Sequence, residues 1–112
     1  MNRQETSHLQ AKWDRLLRVD HFEHEDIIHF LQHHPDPASV SYLKRAIEMK
    51  RSLKYLDYDD YGGYYKKCLW ALQAIGTPEA VSHIQECAHS RELALREEAV
   101  YRLGKIRGNL PQ

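Results

Sequence analysis

Five of the eight histidines fall in one run, HFEHEDIIHFLQHH at residues 21–34, interleaved with Glu23, Glu25 and Asp26. Imidazole beside carboxylate is ligand chemistry for zinc or iron. Of His21, His24, His29, His33 and His34, the pair His29 and His33 stands four apart, so a helix would bring both rings to one face. The HExxH zinc-protease motif leaves two residues between its glutamate and second histidine, whereas HEDIIH leaves three after Glu25, so that chemistry is excluded. The economical reading makes these histidines partly exposed polar positions of a short helix. Partner contact or pH sensitivity remain open to them, because imidazole titrates near neutrality. Nucleophilic catalysis has no support either: GxSxG, P-loop and Cys-His arrangements are all missing from the sequence.

The second chemically distinctive run is YLDYDDYGGYY at residues 55–65, with five tyrosines, three aspartates and two glycines in eleven positions. Tyrosine supplies large contact area at low entropy cost and is enriched at interfaces, and clustered carboxylates make a local negative patch. A binding epitope for a cationic partner follows, built from Tyr55, Asp57, Tyr58, Asp59, Asp60, Tyr61 and Tyr64. The plainer alternative keeps Asp59 and Asp60 near the positive end of the next helix and lets two or three tyrosines cover the core where helical hairpins join. In that case the partner site moves to the exposed faces of the third and fifth helices. Gly62 and Gly63 lack the preceding strand and flanking lysine of a phosphate cradle and read as a turn that lets the next helix start.

Composition limits the setting of these runs. Sixteen basic and sixteen acidic residues leave no formal net charge, so the chain has no global basic field for nucleic acid or an anionic membrane. No apolar stretch resembles a signal peptide or a membrane span, and a cytoplasmic protein is expected. Cys68 and Cys87 fall in helical apolar patterns without a CxxC pairing, which predicts buried small hydrophobes. At 112 residues one self-sufficient domain accounts for the whole chain, 1–112, with the tyrosine and aspartate run as an insertion at about 55–65.

The elements that must position these residues are all helices, because apolar residues recur at spacings of three and four almost throughout and nowhere alternate for long. The first helix carries Leu9, Trp13, Leu16 and Leu17 and is capped near Thr6 or Ser7. Asp20 followed by Glu23 reads as a capping box opening a second helix with Ile27, Ile28 and Leu31 inward. Asp36 and Pro37 start a third, burying Val40, Leu43, Ala46, Ile47 and Leu53, with Lys50, Arg51 and Lys54 suiting its negative end. A fourth buries Cys68, Leu69, Leu72 and Ile75 and ends on Gly76, and Thr77-Pro78 opens a fifth with Val81, Ile84 and Ala88. After a break near Ser90 the last uses Leu95, Ala99, Val100, Leu103 and Ile106.

Sliding the chain by about 41 places sets EDIIHFLQHHPDPASVSYL over YKKCLWALQAIGTPEAVSHI, pairing Leu31 with Leu72, Pro37 with Pro78 and Leu43 with Ile84. A slide of about 31 sets KKCLWALQAIG over EEAVYRLGKIR, pairing Cys68 with Ala99 and Leu69 with Val100. The first interval is longer by about ten residues, the length of YLDYDDYGGY. In this register His29, Trp70 and Tyr101 share one repeat position.

CLWALQAIGTPEAVSHI and REEAVYRLGKI resemble the HEAT-like repeats of phycobilisome lyases, in which a helix ending in leucine and often glycine leads to a proline-started partner. The resemblance covers about residues 22–107 and implies an all-α fold, a short right-handed α-solenoid of about three helical hairpins, roughly six helices. Such arrays serve as protein-binding surfaces, as lyase chaperones or, in deoxyhypusine hydroxylase, as a di-iron enzyme. His24 and Glu25 stand where the hydroxylase repeats carry His-Glu ligands, but the aligned positions hold Tyr65 with Lys66 and Arg96 with Glu97, and one pair does not hold two irons. The chain also resembles, in size and style, small immunity proteins of bacterial polymorphic and contact-dependent toxin systems. That resemblance implies a non-enzymatic, cofactor-free protein that binds a cognate toxin domain, for example a nuclease, and blocks its active site or substrate path. The alternative it leaves is an interaction adaptor or lyase-type chaperone.

Overall fold

The computed structural model describes residues 3–57 and 62–108, with side chains from residue 8 onward. Six α-helices run through them: α1 (Arg3–Leu16), α2 (His24–His33), α3 (Val40–Glu48), α4 (Gly63–Ile75), α5 (Pro78–Cys87) and α6 (Leu93–Gly108). Short 3-10 turns at Pro37–Ser39, Met49–Ser52 and Lys54–Leu56 lead into and out of α3, and the described residues contain no strand. This all-helical arrangement is compatible with a short solenoid of HEAT-like repeats.

The helices stack in two layers. In one, α4 lies between α2 and α6; in the other, α3 touches both α1 and α5, and α4 also packs across the slab on α3 and α5. The resulting body measures 40 × 36 × 17 Å, its thin dimension suiting two helices, whose axes pack 8–10 Å apart. Because α4 has neighbours on several sides, its buried residues, Tyr64, Tyr65, Cys68, Leu69, Ala71 and Leu72, run around the helix instead of along one stripe. Trp13 ties the first helix in: its indole N–H donates to the buried Ser39 hydroxyl at 2.8 Å, and its ring stacks on Tyr42 at 4.7 Å.

The repeat register holds in the interior. Leu31 and Leu72 are both fully buried, as are Leu43 and Ile84, and Cys68 and Ala99. Pro37 and Pro78 each open a turn whose preceding residue caps it: Asp36 Oδ1 accepts from Ala38 N–H at 2.8 Å and Thr77 Oγ1 from Ala80 N–H at 3.2 Å. Gly76 terminates α4 in the left-handed region at φ +69°, where a side chain would be strained.

Four local expectations are corrected. The first helix starts at Arg3, so Thr6 and Ser7 lie inside it. Glu23, not Asp20, is the N-cap of α2 and makes no side-chain cap; Asp20 instead pairs with Arg18 at 2.5 Å, which holds its carboxyl down at about 2. In α5 the inward residues are Ala80, Ile84 and Cys87, with Val81 and Ala88 half-buried. Val100 is 58% exposed although its counterpart Leu69 is fully buried. The reason is positional: α6 covers α4, and among the described residues no further helix covers α6.

Candidate functional site

The tyrosine and aspartate run divides between core and surface. Tyr64 and Tyr65 lie in the first turn of α4, and Tyr64 is fully buried, its hydroxyl donating to the Ala46 carbonyl at 2.7 Å while burial drives its pKa upward. As a partner-contact residue Tyr64 is therefore corrected: it belongs to the α3–α4 packing. Tyr55, in the Lys54–Leu56 turn, is half-buried, and Asp57 is exposed just beyond it, its N–H bonded to the Lys54 carbonyl at 3.1 Å. Tyr58, Asp59, Asp60 and Tyr61 lie outside the described residues. Gly62, at φ +66°, sets the left-handed turn from which α4 departs.

Tyr55 is held by the histidine run. Its hydroxyl donates to His24 Nδ1 at 2.6 Å, and His24 Nε2–H donates to the Arg18 carbonyl at 2.5 Å. His21 lies parallel to His24, ring centroids 4.0 Å apart, with Nε2–H donating to the Arg15 carbonyl at 2.5 Å and Nδ1 accepting from the Glu23 N–H at 3.0 Å. A carbonyl can only accept and an N–H can only donate, so these neighbours fix His21 as a neutral Nε2–H tautomer, and His24 is satisfied in the same form. His24 is fully buried, and desolvation lowers its pKa against the opposing hydrogen bond to the Arg18 carbonyl, with the Arg15 charge adding to the lowering. Burial raises the Tyr55 pKa, so its hydroxyl stays a donor at neutral pH. The two imidazoles thus close the C-terminal end of α1 and clamp it to the turn that carries Tyr55.

The remaining histidines are spread elsewhere. His29 and His33 meet edge to face at 4.4 Å on the exposed side of α2, and His34 stacks on Phe30 at 4.2 Å. Glu25 pairs with Lys67 at 2.7 Å while its neighbour His24 turns to Tyr55, so the His-Glu pair diverges. Among the described residues no three histidine, cysteine or acidic side chains are grouped to hold a metal ion. Cys68 is fully buried and its thiol strongly raised by desolvation, as expected of a small core hydrophobe. Cys87, 5% exposed, lies 3.7 Å from His83 Nε2, a Cys-His contact that corrects the sequence reading, but burial pushes its thiol up to about 11, away from the thiolate a nucleophile needs.

Two surface features escaped the sequence reading. Phe22, placed between two histidines in HFEH, is 78% exposed and stands edge-on to Tyr55, centroids 5.2 Å apart at 80°. On α4 and α6, Trp70 and Tyr101 both lie 4.8 Å from the Arg102 guanidinium, which is itself buried and bonded to Glu98 at 2.9 Å and Gln73 at 3.3 Å. Trp70, Tyr101 and His29 are all exposed, in keeping with one repeat position. An open cleft between α3 and α5 is lined by Ser41, Lys44, Glu79 and His83 among others.

The hairpin α4–Gly76–Thr77-Pro78–α5 is the part of the chain whose cap residues are most fully spelled out. Residues 66–90 match the PBS lyase HEAT-like repeat. The matched HEAT-like segment runs from the first turn of α4 through α5 and carries Trp70, Gly76 and Pro78. No curated protein and no solved structure matches the chain. HEAT-like repeats stack into extended surfaces used for protein contact, so the match supports a protein-interaction role. No helix among the described residues is long and apolar enough to cross a membrane.

Proposed function

We propose that this chain is a protein-binding module without catalytic chemistry of its own, an immunity protein that binds one toxin domain stoichiometrically in the cytoplasm and blocks its active site or substrate path. The observation that carries the reading is the interruption of the repeat between α3 and α4 by an acidic, tyrosine-rich run whose first ring, Tyr55, is anchored on buried His24. A scaffold gains nothing in stability from exposed carboxylates such as Asp57, whereas clustered negative charge speeds encounter with a basic surface and fixes orientation on it. Enzymes that act on nucleic acid present such basic surfaces. The test is titration of the purified chain against the product of the neighbouring upstream gene, with a growth assay in which that product is expressed alone or together with this chain. Saturation at one to one and rescue of growth are expected; no binding and no rescue would overturn the reading. The match at residues 66–90 favours a second reading, an adaptor or lyase-type chaperone, for which binding to a tetrapyrrole-bearing protein would be the sign.

A further inference from the structure

The connections leading into α2, α4 and α6 meet along one edge of the slab. Phe22 in the first touches Tyr55 in the second, Arg51 in the second reaches Glu92 in the third at 3.6 Å, and Gly62 lies where an added Cβ would come within 3.2 Å of Ala94. Phe22 is the most exposed large apolar side chain described, and Val19, three residues before it, is 61% exposed. The Phe22 ring is not loosely placed. It rests on Tyr55, which is tied to His24, which is tied in turn to the Arg18 carbonyl in the loop just past α1. An apolar side chain held out in one orientation has less freedom to lose on binding, and such aromatic anchors carry a large share of interface energy.

The charges around it specify the other side. Arg15 pairs with Glu23, Arg18 with Asp20 and Arg51 with Glu92, and Lys50 lies over the Tyr65 ring at 5.2 Å. Near the anchor this leaves Lys54 against Asp57 and Asp26, all exposed, and the Asp26 charge acts on Tyr55, so the surplus among these described residues is negative. We infer that Phe22 is the anchor of the binding surface, entering together with Tyr55 and Asp57 an apolar recess bordered by lysine and arginine on a protein partner. The inference rests on the proposed protein-binding function and extends its site from one segment to two loops, with His24 as a positioning residue.

The neighbouring gene product is titrated with the full-length chain and its variants at low and high salt. Phe22→Ala is expected to weaken binding by at least about tenfold, mainly through faster dissociation, with an unchanged melting temperature because the ring is exposed. Asp57→Lys is expected to slow association at low salt and to lose that effect at high salt. Val100→Ala, on the outer side of α6, is expected to bind as the unmodified chain does. Wild-type affinity in Phe22→Ala, with the unmodified chain still binding, overturns the anchor and leaves the proposed function standing. Weakening by Val100→Ala in place of Phe22→Ala moves the partner to α6 and also overturns it. An unmodified chain that fails to bind removes both.

Discussion

Acidification should destabilise this protein well before its carboxylates titrate, and the His21–His24 stack is the reason. His24 is buried in its neutral form, with Nε2–H on the Arg18 carbonyl and Nδ1 accepting from the Tyr55 hydroxyl. A second ring proton would force that hydroxyl to turn from donor to acceptor and would place a charge in a desolvated site 4.0 Å from another imidazole. Its pKa is lowered from the ordinary 6.5, so below that pH the unfolded chain binds more protons than the folded one. Stability is therefore fully present above pH 6.5 and declines as pH falls below it, by at most about 1.4 kcal/mol per pH unit for one proton. A domain of this size has on the order of 5–15 kcal/mol in total, so a drop of one unit is measurable. The assay is urea unfolding followed by circular dichroism at several pH values between about 7.5 and 5, above the carboxylate range near 4. His24→Gln should cost about 2 kcal/mol at neutral pH, one for each hydrogen bond lost, and should flatten the pH dependence. Equal slopes in the two proteins, or a flat profile in the unmodified one, would refute the assignment.

Three further outcomes are expected. Gly76→Ala forces a side chain into the left-handed region at φ +69° and should lower stability by about 1 kcal/mol; an unchanged melting temperature would contradict the cap geometry. Tyr64→Phe removes the buried hydrogen bond to Ala46 and should cost about 1 kcal/mol, or on the order of 4 °C in a thermal melt, while leaving partner affinity unaltered. Replacing Asp57, Asp59 and Asp60 together by asparagine should leave helicity and melting temperature nearly unchanged but slow association with the neighbouring gene product at low salt; unchanged association would return the segment to a structural role.

The helices and their inward faces were legible because their signals are local. Spacings of three and four placed Leu31, Leu43, Leu72 and Ile84 in the core, and Asp36-Pro37, Thr77-Pro78 and Gly76 marked the ends. What the sequence did not reveal depends on neighbours distant along the chain. Val100 follows the same periodicity as Leu69, and only the position of α6 at the outside of the stack separates them. His24 reads as a polar surface position until Tyr55, 31 residues later, arrives to satisfy its ring nitrogen. The same holds for Tyr64, indistinguishable by type from the half-buried Tyr55 until the Ala46 carbonyl is brought opposite it. Phe22 was obscured in the other direction, since a phenylalanine beside a helix start ordinarily packs inward.

The two tryptophans occupy unlike surroundings in different hairpins. Trp13 is buried, hydrogen-bonded to Ser39 and stacked on Tyr42, whereas Trp70 is 43% exposed on α4 beneath the Arg102 guanidinium. Emission from the first should therefore be blue-shifted, and emission from the second should be accessible to a soluble quencher. Since stacked repeats interact chiefly with their nearest neighbours, their cooperativity is a matter of how strongly each hairpin grips the next. Without any added label, the intrinsic fluorescence of this chain distinguishes a molecule that opens from one end from a molecule that melts as a single unit.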